Sequence, residues 1–346
     1  MGFRLVLFAL LFASTPVFAE RTLTISKPVR SVSLLGGTSI LVDSSLILIG
    51  ETIQIIRCKL GGFKSGDRLA VTTKNSAISG DDSSLFSQVY DSTTGILTIT
   101  DPYPILARGS SGAAWETLLR TLSFYPATVS MSQNTRRTVE YEVLELGKWF
   151  VIGDTYHFYD FISSSGITWT AAKAAASSQK WYGKTGYLGT ITSSEEFTHM
   201  SNQAPGNSGW LAGSDSMSGS LGASDGGTYS AGAATDTLSE GYWKWDAGPE
   251  QGQLFWIGND HRAGSHSNKT GTTPVGRYSN WPSSQPDNAG EEDALQITTA
   301  GTFNDLPVGH TEVAGYFVEW GGMPEPAATV TIKIQNHNAI KHAAGF

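Results

Sequence analysis

The sequence predicts an all-β sandwich domain followed by an α+β domain with two helices, and three observations lead to this prediction. Short alternating strand patterns, separated by Gly, Ser and Asp clusters, fill residues 20–145. Two helix-start patterns, at Thr168 and Ser193, then occur between further strand patterns in residues 149–322. Apolar residues make up 40% of the 346-residue chain, which is enough for ordered cores.

Residues 1–19 have the pattern of a secretory signal. Arg4 supplies a positive charge, an apolar run follows from Leu5 to Phe12, and small residues end at Ala19. The run is too short for a transmembrane helix, and no later stretch of the sequence is suited to span a bilayer. We therefore expect cleavage after Ala19 and a secreted, extracellular or cell-surface protein. A buried first strand or helix is the alternative.

The charge and the cysteine content exclude some classes of function. The net charge of −8 argues against a nucleic-acid partner, because no basic stripe is present to neutralise phosphates. The single cysteine, Cys58, excludes an intrachain disulfide. Cys58 lies in an alternating strand pattern, so we expect a buried structural thiol. A reactive or intermolecular thiol is the alternative.

The first domain, residues 20–145, is predicted to begin with short strands. They lie at residues 22–25, 46–49, 52–56 and 70–73. A turn and strand at 90–100 precede a helical pattern at 110–122, which has Trp115 on its apolar face. A strand at 136–143 closes the domain.

Several motifs in residues 60–143 resemble the cadherin-like sandwich repeats of large bacterial surface proteins. They are Gly-Asp-x-Leu at 66–69, Tyr-Asp-x-Thr-Thr-Gly-x-Leu-Thr at 90–98, the Trp115 helix and the Arg-rich strand at 136–143. The resemblance implies a spacer or adhesion module. Asp81 and Asp82 are interpreted either as cation ligands of such a module or as a solvated turn.

The second domain, residues 149–322, is predicted to contain its two helices early. Thr168 is placed as the N-cap of the first helix, and Ser193 with Glu196 forms a capping box for the second, which ends near Gln203. The Gly- and Ser-rich run at 214–239 is expected to be an exposed loop.

Trp243 and Trp245 lie on the same face of the strand pattern that follows this run. We interpret both as core residues, with a sugar-stacking platform as the alternative. The strand at 315–320 closes the domain. Residues 323–346 begin with a Pro-Glu-Pro linker and contain one possible strand, which either docks on a neighbouring domain or begins a further module.

The stretch from Asn280 to Asp305 is rich in side chains that carry oxygen, and it contains no Cys or His. These side chains are Gln285, Asp287, Asn288, Glu291, Glu292, Asp293, Asn304 and Asp305. Carboxylates and amide carbonyls without nitrogen or sulfur donors suit a hard cation such as Ca²⁺. A solvated turn is the alternative interpretation of the composition alone.

Residues 150–321 also contain a series of motifs that resembles the C-type lectin-like domain family in its bacterial form. In order, they are the two helices, Gly-Trp-Leu-Ala-Gly at 209–213, Gly-Tyr-Trp-Lys-Trp at 241–245, Gly-Pro-Glu at 248–250, Gln-Pro-Asp at 285–287, Glu-Asp at 292–293, Asn-Asp at 304–305 and Phe-Val-Glu-Trp at 317–320. The resemblance implies an α+β C-type lectin-like domain, with two helices and two small antiparallel sheets, preceded by the sandwich domain.

The resemblance also implies a calcium site and its ligands. The ligands carried over from the family are Gln285, Asp287, Glu292, Asn304 and Asp305. The Asp305 carbonyl is a possible further ligand, and the Gln285–Pro286 bond is expected to be cis. Five protein ligands leave one or two positions open on an ion that takes about six to eight oxygens, and neighbouring sugar hydroxyls fill those positions. The Gln-Pro-Asp order resembles members that prefer galactose-type sugars.

The chain departs from the family pattern in three places. No aromatic residue follows Asp287, so Trp281 is the nearest candidate for stacking on a sugar, although that position belongs to the core in the family. The family's disulfide cysteines are missing, and Ala294 stands where one would be. Phe303 replaces the Trp before the Asn-Asp pair. A second calcium near Asn288 and Asp293, with Asp260 as a further ligand, is left open.

Three functions were weighed. The first is a secreted, calcium-dependent carbohydrate-binding or adhesion protein, and the second is a protein- or surface-interaction module on the same fold. An enzyme is the third, but Glu291 and Glu292 are adjacent in a turn and do not face each other as acid and base. No Ser/His/Asp or Cys/His pattern occurs at a recognised spacing. The sequence therefore predicts a binding protein and not an enzyme.

Overall fold

The computed structural model describes most of the chain between Arg21 and Gln335. The described residues are 21–26, 28–33, 39–50, 52–72, 86–101, 112–127, 135–215, 241–258, 270–289, 292–324 and 329–335. The predicted signal at 1–19, the Asp81–Asp82 pair, Asp260 and nearly all of the loop at 214–239 lie outside these residues.

The N-terminal part of the chain is built from short strands and one helix. Its elements are β1 Thr22–Thr24, β2 Val29–Ser33, β3 Ile40–Leu41, β4 Ile47–Ile49, β5 Ile53–Gly61, β6 Arg68–Ala70, β7 Ser87–Asp91, β8 Ile96–Thr100, α1 Gly112–Leu119, β9 Ser123–Tyr125 and β10 Thr135–Glu145. These strands form parts of a six-stranded sheet, a three-stranded sheet and a two-stranded sheet.

Helix α1 confirms the helical spacing at 110–122, and it makes the all-β description of this part incomplete. Its Trp115 is fully buried, and the Trp115 indole donates a hydrogen bond of 3.0 Å to the carbonyl of Ile53. Leu118 and Leu119 are also buried, so one face of the helix belongs to the core. The sandwich packing and the cadherin-like resemblance stay predictions.

The C-terminal strand completes the large sheet of the N-terminal part. β22, Thr329–Gln335, pairs antiparallel with β10 and parallel with β2, so the sheet order is β2-β22-β10-β5-β8-β7. Residues 149–322 therefore lie, along the chain, between two strands that are neighbours in one sheet. The predicted boundaries at 145, 149 and 322 stay predictions, but the tail strand belongs with the N-terminal strands.

The remaining elements form the C-terminal α+β part. They are β11 Trp149–Ile152, β12 Thr155–Ser163, α2 Trp169–Ser178, β13 Lys180–Trp181, β14 Lys184–Leu188, α3 Ser194–Ser201, β15 Gly209–Ser214, β16 Tyr242–Trp245, β17 Leu254–Gly258, β18 Gly271–Thr272, β19 Ala294–Ile297, β20 Phe303–Leu306 and β21 Gly315–Trp320. Strand β21 is central, because it pairs antiparallel with β12 and β14 and parallel with β15.

Both predicted helix starts are present. The Thr168 hydroxyl accepts from the amide of Ala171 at 3.3 Å, and the Ser193 hydroxyl accepts from the amide of Glu196 at 3.1 Å. The second half of the predicted capping box is wrong, because the Glu196 carboxylate accepts from Thr192 and from the Tyr159 hydroxyl. None of the described helices has the length and apolar character of a membrane span.

Two residue-level predictions about the core are confirmed. Trp243 and Trp245 are 0% and 1% exposed, and the Trp245 ring stacks on Phe255 at 4.3 Å, so neither indole serves as a sugar platform. Cys58 is fully buried, and burial raises the pKa of its thiol far above the usual range. Such a thiol has little thiolate character and is structural.

A buried ion pair joins the N-terminal and C-terminal parts. Arg21 Nε lies 2.9 Å from Glu145 Oε2, with the two side chains 7% and 1% exposed. The Tyr182 hydroxyl donates to Glu145 Oε1 at 2.7 Å, and the Arg21 guanidinium lies 4.5 Å above the Trp181 ring. Since Trp181 and Tyr182 belong to the C-terminal part, these contacts fix it against the end of β10.

The ion pair at this junction gives a prediction with a matched control on the same strand. Glu145→Gln removes a buried carboxylate and leaves Arg21 charged, which we expect to cost about 3 kcal/mol of unfolding free energy. Glu142→Gln removes the half-exposed partner of Arg57 and is expected to cost less than about 1 kcal/mol. Urea unfolding measures both, and equal losses for the two variants would contradict the role assigned to the junction.

Candidate metal and ligand site

The candidate site is formed by the β19–β20 hairpin and the loop that precedes it. In the hairpin, Leu295 pairs with Asp305 and Gln296 with Asn304. Burial alternates along β20, so that Phe303 and Asp305 point inward. The backbone amide of Phe303 also donates a hydrogen bond of 2.9 Å to the carbonyl of Asn280, which fixes the start of the loop to this strand.

The loop from 285 to 289 is held in one conformation by hydrogen bonds to acidic and amide side chains. The Gln285–Pro286 bond is cis, as predicted. Asn288 has a φ of 45°, a left-handed conformation that asparagine tolerates better than most residues. Its backbone amide donates a hydrogen bond of 2.8 Å to Asp305 Oδ2. The Asn288 side-chain oxygen accepts from the amide of Glu292 at 2.7 Å.

Three carboxylates converge at this point. Asp287, Glu292 and Asp305 each offer an oxygen, and these oxygens all lie within 4.8 Å of one another. The amide of Ala289 donates to Glu292 Oε2 at 2.8 Å, which turns that carboxylate toward the other two. The family resemblance predicts all three in one site, and the structure brings them together.

The electrostatics of the group favour a positively charged ligand. Burial raises the pKa of Glu292 to about 7, and the charges of Asp305 and Asp287 act in the same direction. Burial likewise raises the pKa of Asp305 to about 6, with Asp287 contributing. The negative charges of Glu292 and Asp305 are therefore penalised in this space, and a cation would remove the penalty.

Two buried oxygens show that the residues present fit a hard cation. Among the described residues, Asp305 Oδ1 and Gln285 Oε1 have no hydrogen-bond partner, although both are buried. A buried acceptor without a donor costs free energy, and most such atoms in proteins are satisfied. Here both belong to predicted metal ligands, and the donor set is oxygen only, as calcium requires.

The other predicted site residues are placed less decisively. The side-chain amide of Asn304 donates a hydrogen bond of 2.8 Å to the backbone carbonyl of Asp305, so that carbonyl already has a donor. The side-chain oxygen of Asn288 is used by Glu292, and Asp293 is not in the group of three carboxylates. The roles of Asn304, Asn288 and Asp293 as metal ligands stay predictions.

Trp281 lies beside the site as part of an aromatic cluster. Its ring is 5.0 Å from that of Trp243 and 5.6 Å from that of Phe303, centroid to centroid, in edge-to-face geometry. It is half-buried, so its contacts are those of a supporting residue. A stacking role toward a sugar stays a prediction.

Two buried polar residues are not among the predicted site residues: Gln296 lies beside the site, and Glu319 lies away from it. Gln296 is 7% exposed on a strand whose residues are all buried, and its Oε1 lies 3.5 Å from the Asn304 amide nitrogen. Glu319 is 0% exposed on β21, in a run of otherwise apolar or small residues. A polar residue in an apolar strand pattern was the available signal in both cases.

Comparisons with known proteins add the following. No family model matches the sequence. The chain is 27% identical to Halomucin of Haloquadratum walsbyi (strain DSM 16790 / HBSQ001) over 333 residues, which cover 91% of this chain and 3% of that protein. The chain thus spans a small fraction of the length of this relative.

Solved structures of C-type lectins are also similar to about half of the chain. For CEL-I from Cucumaria echinata the identity is 20%, the coverage 50% of this chain and 94% of that chain, and the TM-score 0.30. For the mouse scavenger receptor C-type lectin carbohydrate-recognition domain the identity is 20%, the coverage 49% and 93%, and the TM-score 0.28. At these scores the similarities stand as observations only.

The repulsion within the site predicts that Asp305→Asn stabilises the protein when divalent cations are removed. The pKa of Asp305 is raised, so the folded state loses stability as pH rises through about 6. In chelator at pH 8 we expect the variant to gain about 1–2 kcal/mol of unfolding free energy, and at pH 4.5 this gain falls toward zero.

The control is Asp154→Asn, which changes an exposed carboxylate. We expect it to change the unfolding free energy by less than about 0.5 kcal/mol at either pH. Thermal or urea unfolding in chelator measures all three proteins. A clear loss of stability in Asp305→Asn at pH 8 would mean that the carboxylate is needed for packing and is not penalised.

Proposed function

We propose that this chain is a secreted, calcium-dependent carbohydrate-binding protein, a lectin or adhesin, and not an enzyme. The observation that supports this most is the pair of buried acceptors without donors, Asp305 Oδ1 and Gln285 Oε1, beside a converging group of carboxylates. In this proposal Gln285, Asp287, Glu292, Asn304 and Asp305 hold one Ca²⁺. The signal pattern at residues 1–19 supports the secretion part of the proposal.

The donor set favours calcium over other metals. Three carboxylates supply negative charge, and amide oxygens supply neutral ligands, without any nitrogen or sulfur donor in the group. Ca²⁺ accepts such mixed oxygen sets and adapts to irregular geometry, whereas Mg²⁺ demands a near-ideal octahedron and Zn²⁺ prefers nitrogen and sulfur. The backbone donors from Asn288 and Ala289 hold two of the carboxylates in place before the ion binds.

The same side chains suit a polyhydroxylated ligand. Calcium bound there supplies open coordination positions to which two neighbouring sugar hydroxyls bind. Asp287 and Glu292 can accept hydrogen bonds from those hydroxyls, and the amides of Gln285 and Asn304 can donate to them, so each hydroxyl is used both as donor and as acceptor. The galactose-type preference rests on the Gln-Pro-Asp order alone.

Calorimetric titration of Ca²⁺ into chelator-stripped protein tests the metal site. We expect one site with a dissociation constant on the order of 10⁻⁴ to 10⁻³ M, the range of extracellular calcium modules. Asp287→Ala should abolish the binding heat. Asp154→Ala, at an exposed carboxylate outside the site, should leave it unchanged. If the wild-type protein takes up no calcium at millimolar concentration, the proposal fails.

A glycan array, probed with and without chelator, tests the ligand. The proposal predicts glycan binding that requires calcium, with galactose-terminated glycans among the ligands, and its loss in Asp287→Ala. Calcium uptake without binding to any glycan would overturn the carbohydrate part and favour the alternative, a protein- or surface-interaction module.

A further inference from the structure

A second group of ionisable side chains is buried in the C-terminal part and shares no member with the candidate metal site. It consists of His157 on β12, Glu196 on α3, Glu250 after β16 and Glu319 on β21. Their exposed fractions are 2%, 0%, 8% and 0%, in that order. Four titratable groups are rarely buried this fully unless they are paired or neutralised.

Glu319 is at the centre of the group. His157 Nδ1 lies 2.6 Å from Glu319 Oε1, and the amide and hydroxyl of Thr190 donate to Glu319 Oε2 at 2.9 and 3.0 Å. The Thr190 hydroxyl is also 2.9 Å from Glu250 Oε2. A hydroxyl has one proton, so Thr190 can serve only one of these two carboxylates at a time.

The same conflict recurs on the other side of Glu319. The Tyr159 hydroxyl lies 2.8 Å from Glu196 Oε1 and 3.3 Å from Glu319 Oε1, and its single proton serves one of them. The hydroxyls of Thr190 and Tyr159 thus bridge Glu319 to both of the other carboxylates, and each bridge is one proton short when all three acids are ionised. A proton on Glu196 would resolve the conflict at Tyr159, because the Tyr159 hydroxyl could then accept from Glu196 and donate to Glu319.

The surroundings offer little compensating charge. Among the described residues, no lysine or arginine forms an ion pair with Glu196, Glu250 or Glu319. The nearby Tyr187 hydroxyl donates to the carbonyl of Gly321, and the His199 ring packs against Tyr159 at 5.4 Å. Lys148, which lies near His199, is paired with Asp160. With His157 protonated, three ionised carboxylates would still leave two negative charges in the interior.

Proton binding by the group is correspondingly strengthened. Burial and the charge of Glu319 raise the pKa of Glu196 to about 7 and also raise that of Glu250. Burial opposes protonation of His157, but its hydrogen bond to Glu319 and the neighbouring carboxylates outweigh burial and raise its pKa. All three groups therefore hold protons more tightly in the folded state than in the unfolded state, and the stabilisation from Glu196 and His157 is lost as pH rises through neutrality.

The group is linked to the candidate metal site through helix α3. Glu196 lies in the first turn of α3, and the next residue, Phe197, has its ring 6.0 Å from those of both Tyr278 and Phe303. Phe303 directly precedes Asn304 and Asp305 on β20. A shift of the start of α3 would therefore be passed to the strand that positions Asp305.

We infer that His157, Glu196, Glu250 and Glu319 form a proton-dependent latch that fixes α3, and that loss of its proton above neutral pH loosens α3 and, through Phe197, strand β20. The latch is released by alkali and engaged at neutral and mildly acidic pH. Its link to calcium affinity rests on the proposed function, whereas the latch itself does not.

Amide hydrogen exchange of residues 194–201 in chelator, corrected for intrinsic rates, tests the latch. In the wild-type protein we expect protection of α3 to fall about tenfold between pH 6 and pH 8.5. Glu196→Gln keeps the side-chain shape but cannot ionise, so its α3 protection should fall clearly less than that of the wild-type protein over the same pH range. Glu195→Gln, at the exposed neighbouring position on the same helix, should keep the wild-type profile.

The outcomes separate the latch from the proposed function. Wild-type protection of α3 that is constant from pH 6 to 8.5 overturns the latch, and this measurement needs no variant to fold. Calcium titration at pH 7.5 and 8.5 tests the link. Deprotonation of Glu292 raises the affinity equally in both proteins, and we expect the wild-type affinity to fall about threefold relative to that of Glu196→Gln. Equal affinity changes in both proteins overturn the link alone, and an absence of calcium binding overturns the proposed function alone.

Discussion

The candidate site depends on how three carboxylates share one half-buried space. Asp287, Glu292 and Asp305 each place an oxygen within 4.8 Å of the others, and backbone amides of the loop hold Glu292 and Asp305 in that arrangement. In the absence of a cation, the protein must bind protons there or accept the cost of charge. Asp305 Oδ1 is buried and has no donor among the described residues, so part of that cost falls on it.

The C-terminal part buries a second set of carboxylates, and the two sets differ in what relieves them. Around Glu319, hydroxyls and an imidazole surround the acids and can supply or share protons. At Asp305 the backbone amide of Asn288 donates to Oδ2, and Oδ1 has no donor among the described residues. We therefore assign a proton to the first set and a cation to the second.

Local features of this fold could be predicted from sequence, because they depend on neighbouring residues. The Thr168 and Ser193 caps and the burial of Trp243 and Trp245 follow from patterns a few residues long. The metal group needed the order of motifs in a known family, since composition alone left a solvated turn open. His157 and Glu319 are 162 residues apart, and β22 joins β10 from the far end of the chain. Such partners are fixed by sheet topology, which no local pattern encodes.

A crystal structure of the chain grown with millimolar calcium tests the central claim most directly. The account predicts one ion bonded to Asp305 Oδ1, Asp287, Glu292, Asn304 and Gln285 Oε1 at about 2.3–2.6 Å, with at least one position filled by water or by a sugar hydroxyl. A site in which Asp305 Oδ1 and Gln285 Oε1 accept hydrogen bonds from ordered water, with no ion present, would contradict it.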